Sequence, residues 1–165
     1  MSKAFTREET EEAPVTVRPR AALPPGVPNY VTPAGLAALT LELQRLKEDR
    51  ARLQSSGSQR TRDRALADGR ILQLEERLAL ARLVDTHSQP QDEVRFGATV
   101  GVRSESGALQ TFQIVGVDEA DVKGGKIAFN APLARALLGR KVGEVVSVAT
   151  PQNDEERTVI SIGYW

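Results

Sequence analysis

Leucine sets the first rhythm of the chain. Leu36, Leu39, Leu43, Leu46 and Leu53 recur three or four residues apart, or at a multiple of that spacing, and Arg50 fills the position where the stripe lapses. That spacing lays one apolar face along a helix. Thr32 offers a capping hydroxyl ahead of it, Pro33 suits the first helical position, and Val31 can pack across the cap as a staple. Ser55-Ser56-Gly57-Ser58 breaks the rhythm. A second stripe follows, Ala67, Ile71, Leu74, Leu78 and Ala81, in a helix that Gly69 weakens locally. Two apolar stripes joined by a short glycine turn predict an antiparallel helical hairpin, a coiled coil over residues 30–86. The leucines are then a seam between helices rather than a cofactor box.

After a polar linker at 87–94, His87-Ser-Gln-Pro-Gln and its neighbours, the apolar period changes to two. Strands are predicted at Thr99–Arg103, Thr111–Val117, Ile127–Phe129, Val145–Ala149 and Thr158–Tyr164. Turns fall at Glu105-Ser106-Gly107 and Lys123-Gly124-Gly125. A short helix, Pro132–Leu138, ends at Gly139. Residues 95–165 therefore read as a small domain on an antiparallel sheet, and the fold class is α+β. Residues 1–29 are charged and proline-rich, with few side chains to form a core, and read as a disordered tail.

Charge changes the picture only locally. Lys+Arg and Asp+Glu both number 22, so no bulk charge points to nucleic acid or membrane. Between Arg45 and Arg70, however, eight basic residues face four acidic ones. No run approaches the roughly 18 apolar residues of a membrane helix, and the start lacks the apolar core of a signal peptide. A cytoplasmic monomer is expected.

Candidate chemistry is sparse. The chain has no cysteine, which excludes disulfides, thiolate metal sites and cysteine nucleophiles. His87, the single histidine, sits in the linker and reads as solvated. Clustered histidine or cysteine for zinc is lacking, and Gly124-Gly125 has no phosphate-loop context. Asp63 and Asp68 lie just past the hairpin turn, but five residues apart on a helix they point in different directions. Arg60, Arg62 and Arg64 flank Asp63, which suits salt pairing better than metal capture. No catalytic residue, metal ligand or cofactor is assigned on this reading.

The second half resembles a known family. Phe96-Gly-Ala-Thr-Val100, Phe112-Gln-Ile-Val-Gly-Val-Asp-Glu119, Pro132-Leu-Ala-Arg-Ala-Leu-Leu-Gly139 and Val142-Gly-Glu144 are similar to the C-terminal domain of the bacterial transcript-cleavage factors GreA and GreB. Thr32-Pro-Ala-Gly-Leu36, Gly69-Arg-Ile71 and Leu83-Val-Asp85 match the two ends of that family's coiled coil. The resemblance runs from about Asn29 onward. It implies an FKBP-like C-terminal domain that docks at the rim of the secondary channel of bacterial RNA polymerase, while the coiled coil enters the channel. It also implies indirect contact with nucleic acid in the elongation complex, the sense in which such a protein is DNA-binding. In the family, two acidic residues at the coiled-coil tip, within a G-D-x-x-E-N type motif, help hold a second magnesium ion for two-metal cleavage of the transcript.

This sequence departs from that pattern. It has no G-D-x-x-E-N motif, and aligning both ends of the hairpin leaves each arm about two turns short, roughly 11 Å. The family loop that often reads Asp-Ser-Pro is here Asn130-Ala131-Pro132. By resemblance, Asn130, Ala131, Pro132 and Arg135 are the polymerase-docking residues; Arg60, Arg62 and Arg64, read from the charge run itself, are expected tip contacts to phosphate or an acidic partner. Locally, Asn130 could serve as a helix cap. The expected function is a polymerase-binding elongation regulator that does not stimulate cleavage and is not itself an enzyme. Three alternatives stand beside it. One is a true cleavage factor using Asp63 or Asp68. Another is a peptidyl-prolyl isomerase suggested by the FKBP-like fold, which would need an aromatic-lined proline pocket. The third, direct nucleic-acid binding through the arginines, lacks interleaved aromatics.

Overall fold

A computed structural model of the chain describes residues 14–53, 58–149 and 153–164. Most of the turn expected at Ser55–Ser58, and the first 13 residues, lie outside the described residues.

Helix α1 runs Pro33–Arg52 and α2 runs Ser58–Ala79. At 1.5 Å per residue they are about 30 and 33 Å long. Thr32 adopts an extended backbone and its side chain accepts from Gly35 N at 3.0 Å, with Pro33 at the start of the helix. The seam is as the leucine spacing predicts: Val31, Leu39 and Leu74 are buried, with Leu36, Leu43, Leu46, Leu78 and Ala81 packed around them. Arg50, the polar residue in the stripe, donates across the hairpin to Asp68 at 2.7 Å.

Two short strands that the sequence reading omits close the base of the hairpin. Strand β1, Asn29–Val31, pairs in parallel with β2, Ala81–Leu83. Parallel neighbours need a long crossover, and here the whole helical hairpin supplies it. Three-residue strands carry too little periodicity to be read from sequence. Asn29 is buried and donates from Nδ2 to the Arg77 carbonyl at 3.1 Å, satisfying one of the last carbonyls of α2.

The C-terminal domain holds five strands, β3 Thr99–Ser104, β4 Leu109–Val115, β5 Lys126–Ala128, β6 Val145–Ala149 and β7 Asp154–Gly163, in the order β5-β4-β3-β7-β6. The sheet is antiparallel except for β4 and β5, which run parallel, so the expected wholly antiparallel sheet is corrected at that edge. Strand β4 also stops at Val115 rather than Val117: Val117–Glu119 turn into a 3-10 helix after Gly116. Helix α3, Pro132–Leu137, packs Ala134 and Leu137 into the core against Val146 and Val148. Tyr164 stitches the last strand to the linker. Its hydroxyl accepts from Arg95 N at 2.9 Å and donates to the Glu93 carbonyl at 2.7 Å, and burial raises its pKa.

Residues 14–28 depart from the expected disordered tail. They carry no helix or strand but are pinned along the hairpin. Arg77 donates to the Ala21 carbonyl, and Arg20 Nη1 donates to Glu42 Oε1 at 2.8 Å. Val17 lies over Gly69, where a Cβ would overlap it. Composition averages over such point anchors and misses them. Gly69, a weak helix residue, leaves the space that Val17 fills.

Leu74 is fully buried between the helices. Leu74→Ala should cost about 2–5 kcal/mol. Leu74→Asp should remove the hairpin helicity while the C-terminal sheet persists. Far-UV circular dichroism and amide spectra check this; unchanged helix content would refute the seam.

Candidate functional site

Three regions carry the polar chemistry of the molecule: the joint between hairpin and C-terminal domain, the exposed side of α3, and the hairpin tip.

The joint is built by two consecutive carboxylates on the 3-10 turn. Glu119 Oε1 accepts from Thr32 N at 2.9 Å and from Gly116 N at 3.3 Å, and Oε2 accepts from the Thr32 hydroxyl at 2.5 Å. Thr32 in turn caps Gly35 N. The C-terminal domain thus supplies an anion to the first turn of α1, where the helix dipole and free N–H groups favour one. A Cβ on Gly35 would overlap the Glu119 carboxyl group, and one on Gly116 would overlap the Tyr30 carbonyl oxygen. Glycine at both positions is what permits the close approach.

Asp118, with a side chain only 3% exposed, takes Arg20 Nε at 2.9 Å on Oδ1 and Arg77 Nε at 3.2 Å on Oδ2. The Arg77 contact is an ion pair without hydrogen-bond geometry. Arg20 also pairs with Glu42. The hydrogen bond to Glu42, and then Asp118, raise the Arg20 pKa above the ordinary arginine value despite partial desolvation. One buried carboxylate therefore ties the N-terminal segment, α2 and the C-terminal domain together. Beside it, Tyr30 of β1 meets Phe96 and Phe129 in a triangle with centroids 6.0, 5.9 and 6.0 Å apart. Edge-on contacts of this kind contribute about 0.5–1.5 kcal/mol each. Two of the C-terminal domain's aromatics are thus occupied by Tyr30 and do not line an open proline pocket.

The α3 residues singled out in the sequence stand together. Asn130, Pro132 and Arg135 are exposed and Ala131 is half-buried, at the start of α3 and within its first turn or so. Asn130 is not the cap: Ala131 holds that position with no side-chain cap bond, because the turn from Ala128 to Ala131 places the helix start one residue later.

The tip residues lie at the other end of α2. Arg60 and Arg62 are exposed and Arg64 is half-buried. Arg62 stands fifteen residues, about 23 Å of helix, from Arg77 at the joint. Asp68 is engaged with Arg50, and Asp63 lies between Arg62 and Arg64 in the chain. Among the described residues no three His, Asp or Glu side chains gather into a metal site. The donor set around Asp63 and Asp68 does not fit a magnesium ion, which wants convergent oxygen ligands and no adjoining cations. The joint residues Asp118, Glu119, Arg20 and Arg77 escaped the sequence reading as functional residues. Only the pairing of two acids after Gly116 could have signalled them.

With this geometry in view, similarity to known proteins is informative. Residues 89–164 match the family described as Transcription elongation factor, GreA/GreB, C-term. A "Transcription elongation factor GreA" from Thioalkalivibrio sulfidiphilus (strain HL-EbGR7) is 37% identical over 152 residues, covering 81% of this chain and 96% of that protein. One from Caulobacter sp. (strain K31) is 46% identical over 85 residues, 51% of this chain and 54% of that protein. Among solved structures, the prokaryotic transcription elongation factor GreA/GreB from Nitrosomonas europaea aligns at 24% identity with a TM-score of 0.42, covering 82% of this chain and 98% of that one. The chain belongs to the GreA/GreB family of transcription elongation factors.

Asp118→Ala should cost about 3–5 kcal/mol, because it leaves Arg77 buried without its counter-charge. Glu119→Ala should cost about 1–3 kcal/mol through the unsatisfied Thr32 donors. Removing the exposed Lys47–Glu75 pair should change stability by at most about 1 kcal/mol. Urea unfolding of the three variants measures the order.

Proposed function

We propose that this chain is a Gre-type factor that binds bacterial RNA polymerase and modulates elongation without stimulating transcript cleavage. The family membership supports polymerase as the partner. The observation that carries the second half is the aligned length. The match to the Thioalkalivibrio protein runs over 152 residues but takes in only 81% of this chain, about 134 of 165 residues. About 18 aligned positions therefore have no counterpart here. Two arms each shortened by two turns would account for about 14 of them.

The chemistry at the end of that short arm supports the same reading. A cleavage factor of this family presents converging carboxylates at its tip. This chain carries Arg60, Arg62 and Arg64 there, and Arg50 holds the carboxylate of Asp68. Arginines in that position repel a divalent ion and suit phosphate or an acidic protein wall. On this reading the C-terminal domain docks through Asn130, Ala131, Pro132 and Arg135, at the rim of the secondary channel. The hairpin occupies the channel and excludes other factors from it. The protein acts as a monomer in the cytoplasm and meets nucleic acid only within the elongation complex.

The test is a backtracked elongation complex. Saturating protein should leave the stalled transcript uncut while competing with a cleavage-active GreA. Asp63→Asn and Asp68→Asn should leave its effect on elongation unchanged, and Arg60→Glu with Arg62→Glu should alter it. Shortened transcripts that vanish with Asp63→Asn would make it a cleavage factor instead.

The docking assignment has its own measurement. Arg135→Glu on the exposed side of α3 should weaken binding to core polymerase about tenfold, or 1.4 kcal/mol, in a fluorescence titration. Unchanged affinity would move the interface elsewhere.

A further inference from the structure

The contacts of the N-terminal segment fall where a lever is best held. Glu119 grips α1 at the cap of its first turn, through Thr32. Glu42 lies seven residues beyond Gly35 on the same face of α1, about 10 Å further from that grip. It reaches the C-terminal domain through Arg20. The guanidinium gives Nη1 and Nη2 to the Glu42 carboxylate at 2.8 and 3.2 Å, and Nε to Asp118 at 2.9 Å. Two parallel bonds to one carboxylate fix the plane of the guanidinium as well as its distance. On the other arm, Arg77 faces Asp118 and gives Nη2 to the Ala21 carbonyl. Both arginines that meet Asp118 are therefore positioned by residues 20 and 21. Val17, over Gly69, holds the segment about 12 Å further along α2, eight helical residues from Arg77.

A contact at the base of a hairpin acts as a pivot, and a second contact away from the base fixes the angle. We infer that residues 17–21 form a releasable strap whose Arg20 braces α1 against the C-terminal domain. With the strap docked, Glu42 and Asp118 share one cation and the angle between hairpin and sheet is set. With the strap lifted, that link opens, Arg77 loses the Ala21 carbonyl, and the hairpin is free to swing about Glu119. Release is within reach because residues 14–28 form no helix or strand. Side chains and the Ala21 carbonyl hold the strap, without the ladder of backbone bonds that makes a paired strand costly to open. The strap acts in the free protein and does so independently of polymerase.

The chain has no cysteine, so two spin labels can be placed by Ala65→Cys on α2 and Glu105→Cys in the turn between β3 and β4, both exposed positions. Double electron–electron resonance on the full-length protein should give one narrow distance distribution. Arg20→Ala should about double its width, and Glu42→Gln should widen it to the same extent. The two together should widen it no further, because both residues belong to one link. Lys47→Ala, which removes an ion pair within the hairpin, should leave the distribution narrow. Circular dichroism verifies that helix content is kept. Should Arg20→Ala disturb the fold, Glu42→Gln decides the matter, since that side chain is 44% exposed and tolerates the exchange. A width unchanged by Glu42→Gln would overturn the brace, as would a double variant broader than either single one.

Discussion

The Glu119 carboxylate at the first turn of α1 is the contact on which the arrangement of the molecule depends. It belongs to the C-terminal domain, yet it satisfies the backbone N–H and hydroxyl of Thr32, the residue that starts the hairpin. The helix therefore begins where the second domain places its anion. Its neighbour Asp118 does the complementary work at the other arm by holding Arg77 near the end of α2. Two adjacent side chains thus grip both arms of a hairpin at its base. The grip is charge-assisted and mostly shielded from water, and such pairs are costly to break from one side. The Tyr30, Phe96 and Phe129 triangle and the β1–β2 pair fill the remaining space between the domains.

A fixed base gives the hairpin mechanical meaning. Reach and direction of the tip are set at the joint, and α1 and α2 transmit them over about 30 Å. What stands at the far end is a group of arginines, and the nearest carboxylates are turned to other uses, as Asp68 is by Arg50. The match to the Thioalkalivibrio protein runs over 152 residues and takes in 81% of this chain and 96% of that protein. Residues 14–28 run along the hairpin, with Arg20 and Ala21 anchored to Glu42, Asp118 and Arg77.

The elements that repeat were legible in the sequence. The leucine seam and the Thr32-Pro33 cap stand where their spacing and type put them, because each depends on neighbours within a turn or two. Residues whose role depends on a distant partner were not legible. Glu119 looks like a surface acid until Thr32 arrives 87 positions away. Gly69 reads as a helix defect until Val17 fills it. The proline-rich stretch reads as disordered because three point contacts, at Val17, Arg20 and Ala21, leave no period or composition. The strand β5 edge runs parallel because a turn and a 3-10 helix carry the chain back, which alternation alone cannot reveal.

Residual dipolar couplings on the free, full-length protein test the central claim, that the carboxylate joint makes hairpin and C-terminal domain one rigid body. The account predicts that couplings from α1, α2 and the five-stranded sheet fit a single alignment tensor in the arrangement described here. Separate tensors for the two halves, with the smaller order parameter on the hairpin, would contradict it.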